Sequence, residues 1–109
     1  MAARVAAVIG GTGLVGKCLV NHLVEDPAFS SVINFVRRQP NGTAPEKLVN
    51  TVIDFDSLDS AISNLTVKPT DAFCCLGTTI KTAGSKEAFA KVDLTYVVNF
   101  AKAVHAAGI

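Results

Sequence analysis

An apolar segment that runs directly into closely spaced glycines is the feature that most constrains this chain. Residues 4–9 read Arg-Val-Ala-Ala-Val-Ile, and residues 10–16 continue as Gly-Gly-Thr-Gly-Leu-Val-Gly. This pattern predicts a buried strand that turns through glycines into a helix. Gly10, Gly13 and Gly16 stand three residues apart. Glycines at such a turn either bring backbone amides close to a pyrophosphate at the helix N-terminus or serve only a positive φ and tight packing.

The end of the next apolar segment separates these two explanations. Residues 32–36 form that segment, and Arg37 and Arg38 follow it directly. In a dinucleotide-binding fold, an acidic residue here accepts hydrogen bonds from the ribose of NAD, whereas an arginine accommodates the 2′-phosphate of NADP. A solvent-exposed strand end is the alternative explanation. The position of the two arginines favours a dinucleotide cofactor, with NADP preferred over NAD.

Strands alternate with helices along the rest of the chain. The predicted strands are residues 4–9, 31–36, 48–53 and 71–76, and the predicted helices are residues 13–25, 58–64 and 92–107. The first helix is expected to bury one stripe at helical spacing, made of Leu14, Val15, Cys18, Leu19, His22 and Leu23. Alternation of this kind predicts an α/β fold with a doubly wound parallel sheet, the Rossmann type.

The last residues suggest that residues 1–109 are the N-terminal portion of such a dinucleotide-binding domain. Gly108 stands where a helix cap is expected, and Ile109 looks like the first residue of another strand. We therefore expect the first half of a larger sheet. Its uncovered edge would suit a protein partner or self-association.

Composition excludes several classes of function. Half of the residues are hydrophobic, 17% are charged, and the formal net charge is +1, so no nucleic-acid partner is expected. The apolar segments are about six residues long, well below the length of a membrane span. Since no signal peptide precedes the first strand, we expect a cytoplasmic protein.

The cysteines and histidines show no metal-ligand spacing. Cys18, Cys74 and Cys75 form no CxxC motif, and neither His22 nor His105 has a ligand partner nearby in the sequence. We expect buried free thiols and no metal site.

More specific segments follow in the second half of the chain. Residues 73–79 read Phe-Cys-Cys-Leu-Gly-Thr-Thr, residues 81–84 read Lys-Thr-Ala-Gly, and residues 89–97 contain Phe-Ala-Lys-Val-Asp and then Tyr-Val. Together with residues 10–16 they resemble the atypical short-chain dehydrogenase/reductases, and within them the Tat-interacting-protein-like oxidoreductases. The resemblance covers essentially the whole chain. It implies hydride transfer between a nicotinamide and a carbonyl or alcohol.

The resemblance also implies a cofactor site made of four groups of residues. The pyrophosphate turn would consist of Gly10, Thr12, Gly13, Leu14, Val15 and Gly16. The 2′-phosphate would be held by Arg37 and Arg38, and the adenine would be bordered by Asp54 and Phe55. The ribose on the nicotinamide side would be lined by Leu76, Gly77, Thr78 and Thr79.

The catalytic residues of the short-chain reductases have no counterpart here. Those enzymes use a serine and a Tyr-x-x-x-Lys pair, in which the tyrosine is the acid/base. This chain has a single tyrosine, Tyr96, and Phe100 stands where the lysine would be. Tyr96 also falls on an apolar stripe, which favours core packing. We therefore assign no catalytic residue.

Two other functions remain open at the level of sequence. Residues 11–17 also fit GxxxxGK, the phosphate-binding loop of nucleoside triphosphatases, with Asp54 as the magnesium-binding carboxylate. Cys18 then replaces the hydroxyl residue that should reach Mg²⁺, and a thiol is a poor ligand for a hard cation. If that interpretation is rejected, Lys17 is an exposed helix residue. The other alternative is a non-enzymatic NAD(P) sensor that controls a partner interface.

Overall fold

A computed structural model describes residues 3–76 and 84–109 of the chain. Its four strands are β1 (Arg4–Ile9), β2 (Phe29–Val36), β3 (Leu48–Val52) and β4 (Asp71–Cys74). Its four α-helices are α1 (Leu14–Glu25), α2 (Leu58–Ser63), α3 (Lys86–Ala90) and α4 (Val97–Ala106). A 3₁₀ turn (Phe55–Ser57) precedes α2, and a π-helical segment (Lys91–Tyr96) joins α3 to α4.

The four strands form one parallel sheet in the order β3-β2-β1-β4. Ile9, near the centre of the sheet, lies opposite Phe35 on one side and Cys74 on the other. The carboxyl ends of the strands therefore meet at one edge, which ligands use in sheets of this kind. The predicted doubly wound α/β fold is confirmed.

Helices cover both faces of the sheet, which explains why β1 and β2 are apolar almost without alternation. On one face α1 packs over a cluster made of Ala6, Val8, Val20, Leu23, Phe29 and Val32. On the other face, Leu58 and Ile62 of α2 and Phe100 of α4 pack against Ile9 and Phe35 of the sheet. Complete burial of a side chain such as Ile9 or Phe35 contributes roughly 1.5–3 kcal/mol.

The buried stripe of α1 differs from the predicted one. Gly16, Val20 and Leu23 are buried, whereas Leu14 and Val15 are exposed. The first turn of α1 stands at the carboxyl edge of the sheet, so contact with the sheet begins only at Gly16. The periodicity was right, but the stripe lies one or two residues further along the chain.

The expectation of buried thiols is also wrong for two of the three cysteines. Cys18 and Cys74 are exposed, and Cys75 is partly buried. Cys18 lies on the outer side of α1, away from the buried stripe. Cys74 ends β4, which pairs only with β1 in the part of the chain that the structure describes.

Several element boundaries differ from the predictions. β2 begins at Phe29, two residues before the predicted start, and β4 ends at Cys74, two residues before the predicted end. The single helix predicted for residues 92–107 is a π-helical segment followed by α4. Gly108 has the positive φ of a helix cap, +76°, as predicted.

A connection without a regular element, residues 37–47, joins β2 to β3. At its end, Lys47 Nζ donates hydrogen bonds to the carbonyl oxygens of Val24 at 3.1 Å and Asp26 at 2.6 Å. A cation here satisfies carbonyl groups that the end of α1 leaves free and interacts favourably with the helix dipole. This contact holds the connection beside α1.

At the opposite edge of the sheet, Arg4 and Asp71 join the starts of β1 and β4. Asp71 accepts from Arg4 Nη2 at 2.6 Å and Nε at 3.1 Å. The hydrogen bonds from Arg4 lower the pKa of the Asp71 carboxyl group. Because the folded pKa is depressed, this contribution to stability is complete above the ordinary aspartate pKa of about 3.9 and disappears as the pH falls through the lower folded value.

We expect Asp71→Asn to lower the free energy of unfolding slightly at pH 7, because the variant loses this charge-assisted pair. The difference from the unmodified chain should shrink as the pH falls below about 4, where the carboxylate of the unfolded chain becomes protonated, and should vanish below the lower folded pKa. Urea unfolding at pH 7 and pH 3 measures both effects, with the exposed Glu46→Gln as control. An equal difference at the two pH values would contradict this assignment.

Candidate functional site

The first glycine of the turn is required by the close approach of two backbone segments. Gly10 has a φ of +84°. A Cβ atom at this position would lie 2.5 Å from the carbonyl carbon of Cys75 and 2.7 Å from the amide nitrogen of Leu76. No other residue satisfies both conditions without displacing the chain that follows β4. Gly10 therefore fixes how β1 leaves the sheet.

Gly11 and Gly16 are required by packing. The space of a Cβ on Gly11 is taken by the carboxamide of Asn34, and a Cβ on Gly16 would collide with the carbonyl oxygen of Gly10. Asn34 is only 4% exposed, and its Nδ2 donates to Asn50 Oδ1 at 3.0 Å. Asn34 Oδ1 has no hydrogen-bond partner within residues 3–76 and 84–109. Sequence reasoning missed Asn34, although a lone amide inside an apolar strand was the available signal.

Gly13 has neither of these requirements. Its φ of −76° and ψ of 176° are those of extended backbone, so the positive φ considered for the turn belongs to Gly10. A Cβ at Gly13 would meet only the carbonyl oxygen of Gly10, at an ordinary contact distance of 3.6 Å. Apart from Gly13 and its chain neighbours, no other heavy atom of the described residues lies within 4 Å of that Cβ position, so the outer side of the turn is open there.

The N-terminus of α1 opens onto that space. Gly13 is the N-cap residue, no side chain caps the helix, and the first turn contains no acidic residue. The first amide groups of a helix have no partner within it and carry the positive end of its dipole. Leu14 and Val15, in this first turn, are 90% and 71% exposed. This end of α1 can accept an anion.

Beside it lies a groove that contains both predicted arginines. The arginine groove has a volume of about 410 Å³ and is lined by Thr12, Val36, Arg37, Arg38, Gln39, Pro40 and Asn41. No carboxylate of the described residues lines it. The structure thus brings Thr12, from the turn, together with Arg37 and Arg38, from the end of β2.

A second cavity lies on the other side of Arg37. The Phe55 cavity, about 500 Å³, is lined by Arg37, Val52, Ile53, Asp54, Phe55, Asp56 and Tyr96. Asp54 and Phe55, both predicted site residues, therefore adjoin Arg37. The Asp54 carboxylate also accepts a hydrogen bond from the backbone amide of Asp56 at 2.9 Å, which caps the 3₁₀ turn.

Aromatic contacts build the wall of the Phe55 cavity. The Arg37 guanidinium lies 5.8 Å from the centre of the Phe55 ring, within cation–π range. Phe55 meets Tyr96 edge to face, with ring centres 5.6 Å apart. Lys91 Nζ lies 3.1 Å from the Asp56 carboxylate, and this contact raises the pKa of Lys91. Tyr96 is buried in this packing, as its place on the apolar stripe predicted.

The fourth predicted group is described only in part. Leu76 is partly buried against the core on the α2–α4 face, and its backbone lies beside Gly10. Gly77, Thr78 and Thr79 lie outside the described residues. The thiol of Cys75, next to Leu76, has a raised pKa because it is partly buried. Within the described residues, no group of three histidine, cysteine or acidic side chains could hold a metal ion.

Comparison with known proteins agrees with this arrangement. Residues 6–109 match the family described as NAD dependent epimerase/dehydratase. The chain belongs to this family. Because the chain belongs to this family, we no longer consider the nucleoside triphosphatase alternative. Membership supports a nicotinamide dinucleotide as the ligand without deciding between NAD and NADP.

Curated fungal relatives are identical to this chain at about a third of the aligned positions. The protein named fmp52-2, mitochondrial, of Aspergillus oryzae is 36% identical over 104 residues, which are 95% of this chain and 45% of that protein. The protein named fmp-52, mitochondrial, of Neurospora crassa is 37% identical over 106 residues, 94% of this chain and 44% of that protein. The chain spans about half the length of the curated relatives it matches.

These names contradict the predicted cytoplasmic location. The Aspergillus and Neurospora relatives are both named as mitochondrial proteins, as is that of Lodderomyces elongisporus. The cytoplasmic prediction rested on secretory signals, which bear on export and are uninformative about mitochondria. Separately, no helix in the described part of the chain is both long and apolar enough to cross a bilayer.

Solved structures confirm the fold alone, because their sequences are distant. Uronate dehydrogenase from Agrobacterium tumefaciens superposes with a TM-score of 0.73 at 17% identity, covering 99% of this chain and 38% of that chain. L-threonine dehydrogenase from Clostridium difficile superposes with a TM-score of 0.74 at 14% identity, covering 99% of this chain and 35% of that chain.

The surroundings of Gly16 and Gly13 predict different effects of an alanine substitution on stability. Gly16→Ala should lower the free energy of unfolding by about 1–3 kcal/mol, as overpacking does. Gly13→Ala should change it by less than about 1 kcal/mol, because the reduced entropy of the unfolded chain and the poorer N-cap residue oppose each other. Urea unfolding of both variants tests the difference. An equal loss of stability in Gly13→Ala would show that Gly13 is also required by the fold.

Proposed function

We propose that this chain binds NADP and forms the cofactor-binding part of a short-chain dehydrogenase/reductase-type oxidoreductase, of the Tat-interacting-protein-like kind. The observation that carries the proposal is the arginine groove. Its described lining has two cations and no carboxylate, and it adjoins a helix N-terminus that no side chain caps. A dinucleotide with an additional phosphate matches both features.

The pyrophosphate would lie over Gly13, against the first turn of α1. Backbone amides and the helix dipole favour a negative charge there. A side chain at Gly13 would occupy that space, although the fold itself tolerates one. This explains a glycine at a position where neither φ nor packing demands it. Leu14 and Val15 would lie at the same end of the helix, beside the bound phosphates.

The two arginines would divide the adenosine between them. Arg38 lines the arginine groove and does not line the Phe55 cavity, so it is the better placed of the two for the 2′-phosphate. Arg37 lines the groove and the Phe55 cavity, and its guanidinium lies over the Phe55 ring. We therefore assign Arg37 to both the phosphate and the adenine, which Asp54 and Phe55 would border.

The nicotinamide supplies the hydride chemistry when the cofactor is bound, and the protein orients it. Leu76, with Gly77, Thr78 and Thr79, would line the adjoining ribose. The substrate would be a carbonyl or alcohol. Tyr96 packs against Phe55 and has no lysine four residues later, so we assign it no acid/base role. The names of the fungal relatives support placing this activity in mitochondria.

NADP should bind more tightly than NAD, because a dianionic phosphate meets cationic side chains. A hydrogen bond between charged groups contributes about 1.5–3 kcal/mol, which corresponds to roughly tenfold or more in affinity. Arg38→Ala should reduce the preference for NADP and leave NAD affinity nearly unchanged. Arg37→Ala should weaken both cofactors. Isothermal titration calorimetry with NADP and NAD measures these affinities in the unmodified chain and in both variants.

Lys102 is an exposed lysine on α4, and the variant Lys102→Gln is the control for a general loss of positive charge. Equal affinities for NADP and NAD in the unmodified chain would overturn the NADP assignment and leave the dinucleotide site in place. Binding of neither cofactor would overturn the site itself. A sensor and an oxidoreductase predict the same binding. Because this chain has no assigned acid/base residue, NADPH oxidation in the presence of aldehydes or ketones separates them when it is measured on a protein extended to the length of the fungal relatives.

A further inference from the structure

A polar cavity beneath the β2–β3 connection adjoins the arginine groove. This loop cavity has a volume of about 350 Å³. Thr12, Gln39, Pro40 and Asn41 line both spaces. Its remaining lining comes from α1, from the strands and from the connection: Gly11, Lys17, Val20, Asn21, Asn34, Gly42, Thr43, Ala44, Pro45, Leu48 and Asn50.

Charge is strongly segregated across the two spaces. Among the residues that the structure describes, Lys17 is the one charged residue that lines the loop cavity, and Arg37 and Arg38 are the charged residues that line the groove. The whole chain has ten basic and nine acidic residues, yet no described acidic residue lines either space. Like charges in adjoining spaces repel one another, and an anionic ligand relieves that repulsion.

Lys17 is directed into the cavity by the helix that carries it. Val20 and Asn21 follow Lys17 by three and four residues, and all three line the loop cavity. Residues at this spacing share one face of a helix. The backbone amide of Lys17 donates a hydrogen bond of 2.9 Å to the carbonyl oxygen of Gly13, so Lys17 lies one turn after the N-cap. Within the residues that the structure describes, Lys17 makes no ion pair.

We propose that Lys17 is a specificity-determining residue that binds the 2′-phosphate of NADP together with Arg38 and Arg37. The inference rests on the proposed function and deepens it. The phosphate would lie over Thr12, where the two spaces meet, with Arg38 on the groove side and Lys17 on the cavity side. Lys17 is an exposed residue of α1, as the sequence predicted, and the proposal adds a role in the cofactor site.

The two probes for the test differ only in the phosphate concerned. They are adenosine 2′,5′-bisphosphate and adenosine 5′-monophosphate, titrated calorimetrically into the purified chain. We expect Lys17→Gln to weaken the bisphosphate by about tenfold, the effect of one lost charged hydrogen bond, with little change for the monophosphate. Lys17→Arg should retain most of the preference, and Lys102→Gln should behave like the unmodified chain.

A second readout separates phosphate binding from a structural role. Because the second pKa of a phosphate monoester is about 6, the bisphosphate should bind more tightly as the pH rises from 5 to 7.5. This gain should be smaller in Lys17→Gln. A melting temperature without ligand that is unchanged in Lys17→Gln would support a role in binding rather than in folding.

Four outcomes overturn a specific statement. Unchanged affinities for both probes in Lys17→Gln overturn the role of Lys17. An equal loss of affinity for both probes also overturns it, since Lys17 would then act on the 5′-phosphate side. Equal binding of the two probes by the unmodified chain overturns the NADP preference. Binding of neither probe overturns the proposed cofactor site.

Discussion

The close approach of three backbone segments at Gly10 is the constraint on which the rest of the structure depends. β1 ends there, the chain leaving β4 passes at Cys75 and Leu76, and α1 lies against the Gly10 carbonyl through Gly16. Any side chain at Gly10 or Gly16 would separate these elements. The contact directs the N-terminus of α1 to the carboxyl edge of the sheet, where the ends of β2 and β3 also lie. The candidate site exists because of this geometry.

A second level of organisation is the distribution of charge at that edge. The helix N-terminus has no acidic side chain, and the groove beside it has two arginines. Acidic residues are nevertheless close in sequence, since Asp54 and Asp56 follow β3. Both line the Phe55 cavity, where Asp54 caps the 3₁₀ turn and Asp56 pairs with Lys91. Neither of them lines the arginine groove, which is therefore suited to a phosphate.

The same region shows how one residue can serve two neighbouring spaces. Arg37 lines both the arginine groove and the Phe55 cavity, and its guanidinium lies over an aromatic ring that is packed edge to face on Tyr96. A planar cation held in this way loses less freedom when it binds a ligand than a free side chain would. Tyr96 contributes to the site through packing, since its ring supports Phe55 from the core side.

The sequence by itself determined the parallel α/β fold, the glycine turn and the arginines at the end of the second strand, because each depends on local spacing. Periodicity identified the elements, but their ends shifted by one or two residues where contacts with the sheet begin or cease. Only the tertiary structure decided which glycine is free of demands from the fold. Gly10, Gly11 and Gly16 meet atoms from Cys75, Asn34 and the turn itself, whereas Gly13 meets almost none. The tertiary structure also placed Asn34 beneath the turn and Lys17 in the loop cavity that adjoins the arginine groove. These neighbours come from different elements, and their proximity results from packing that no local pattern encodes.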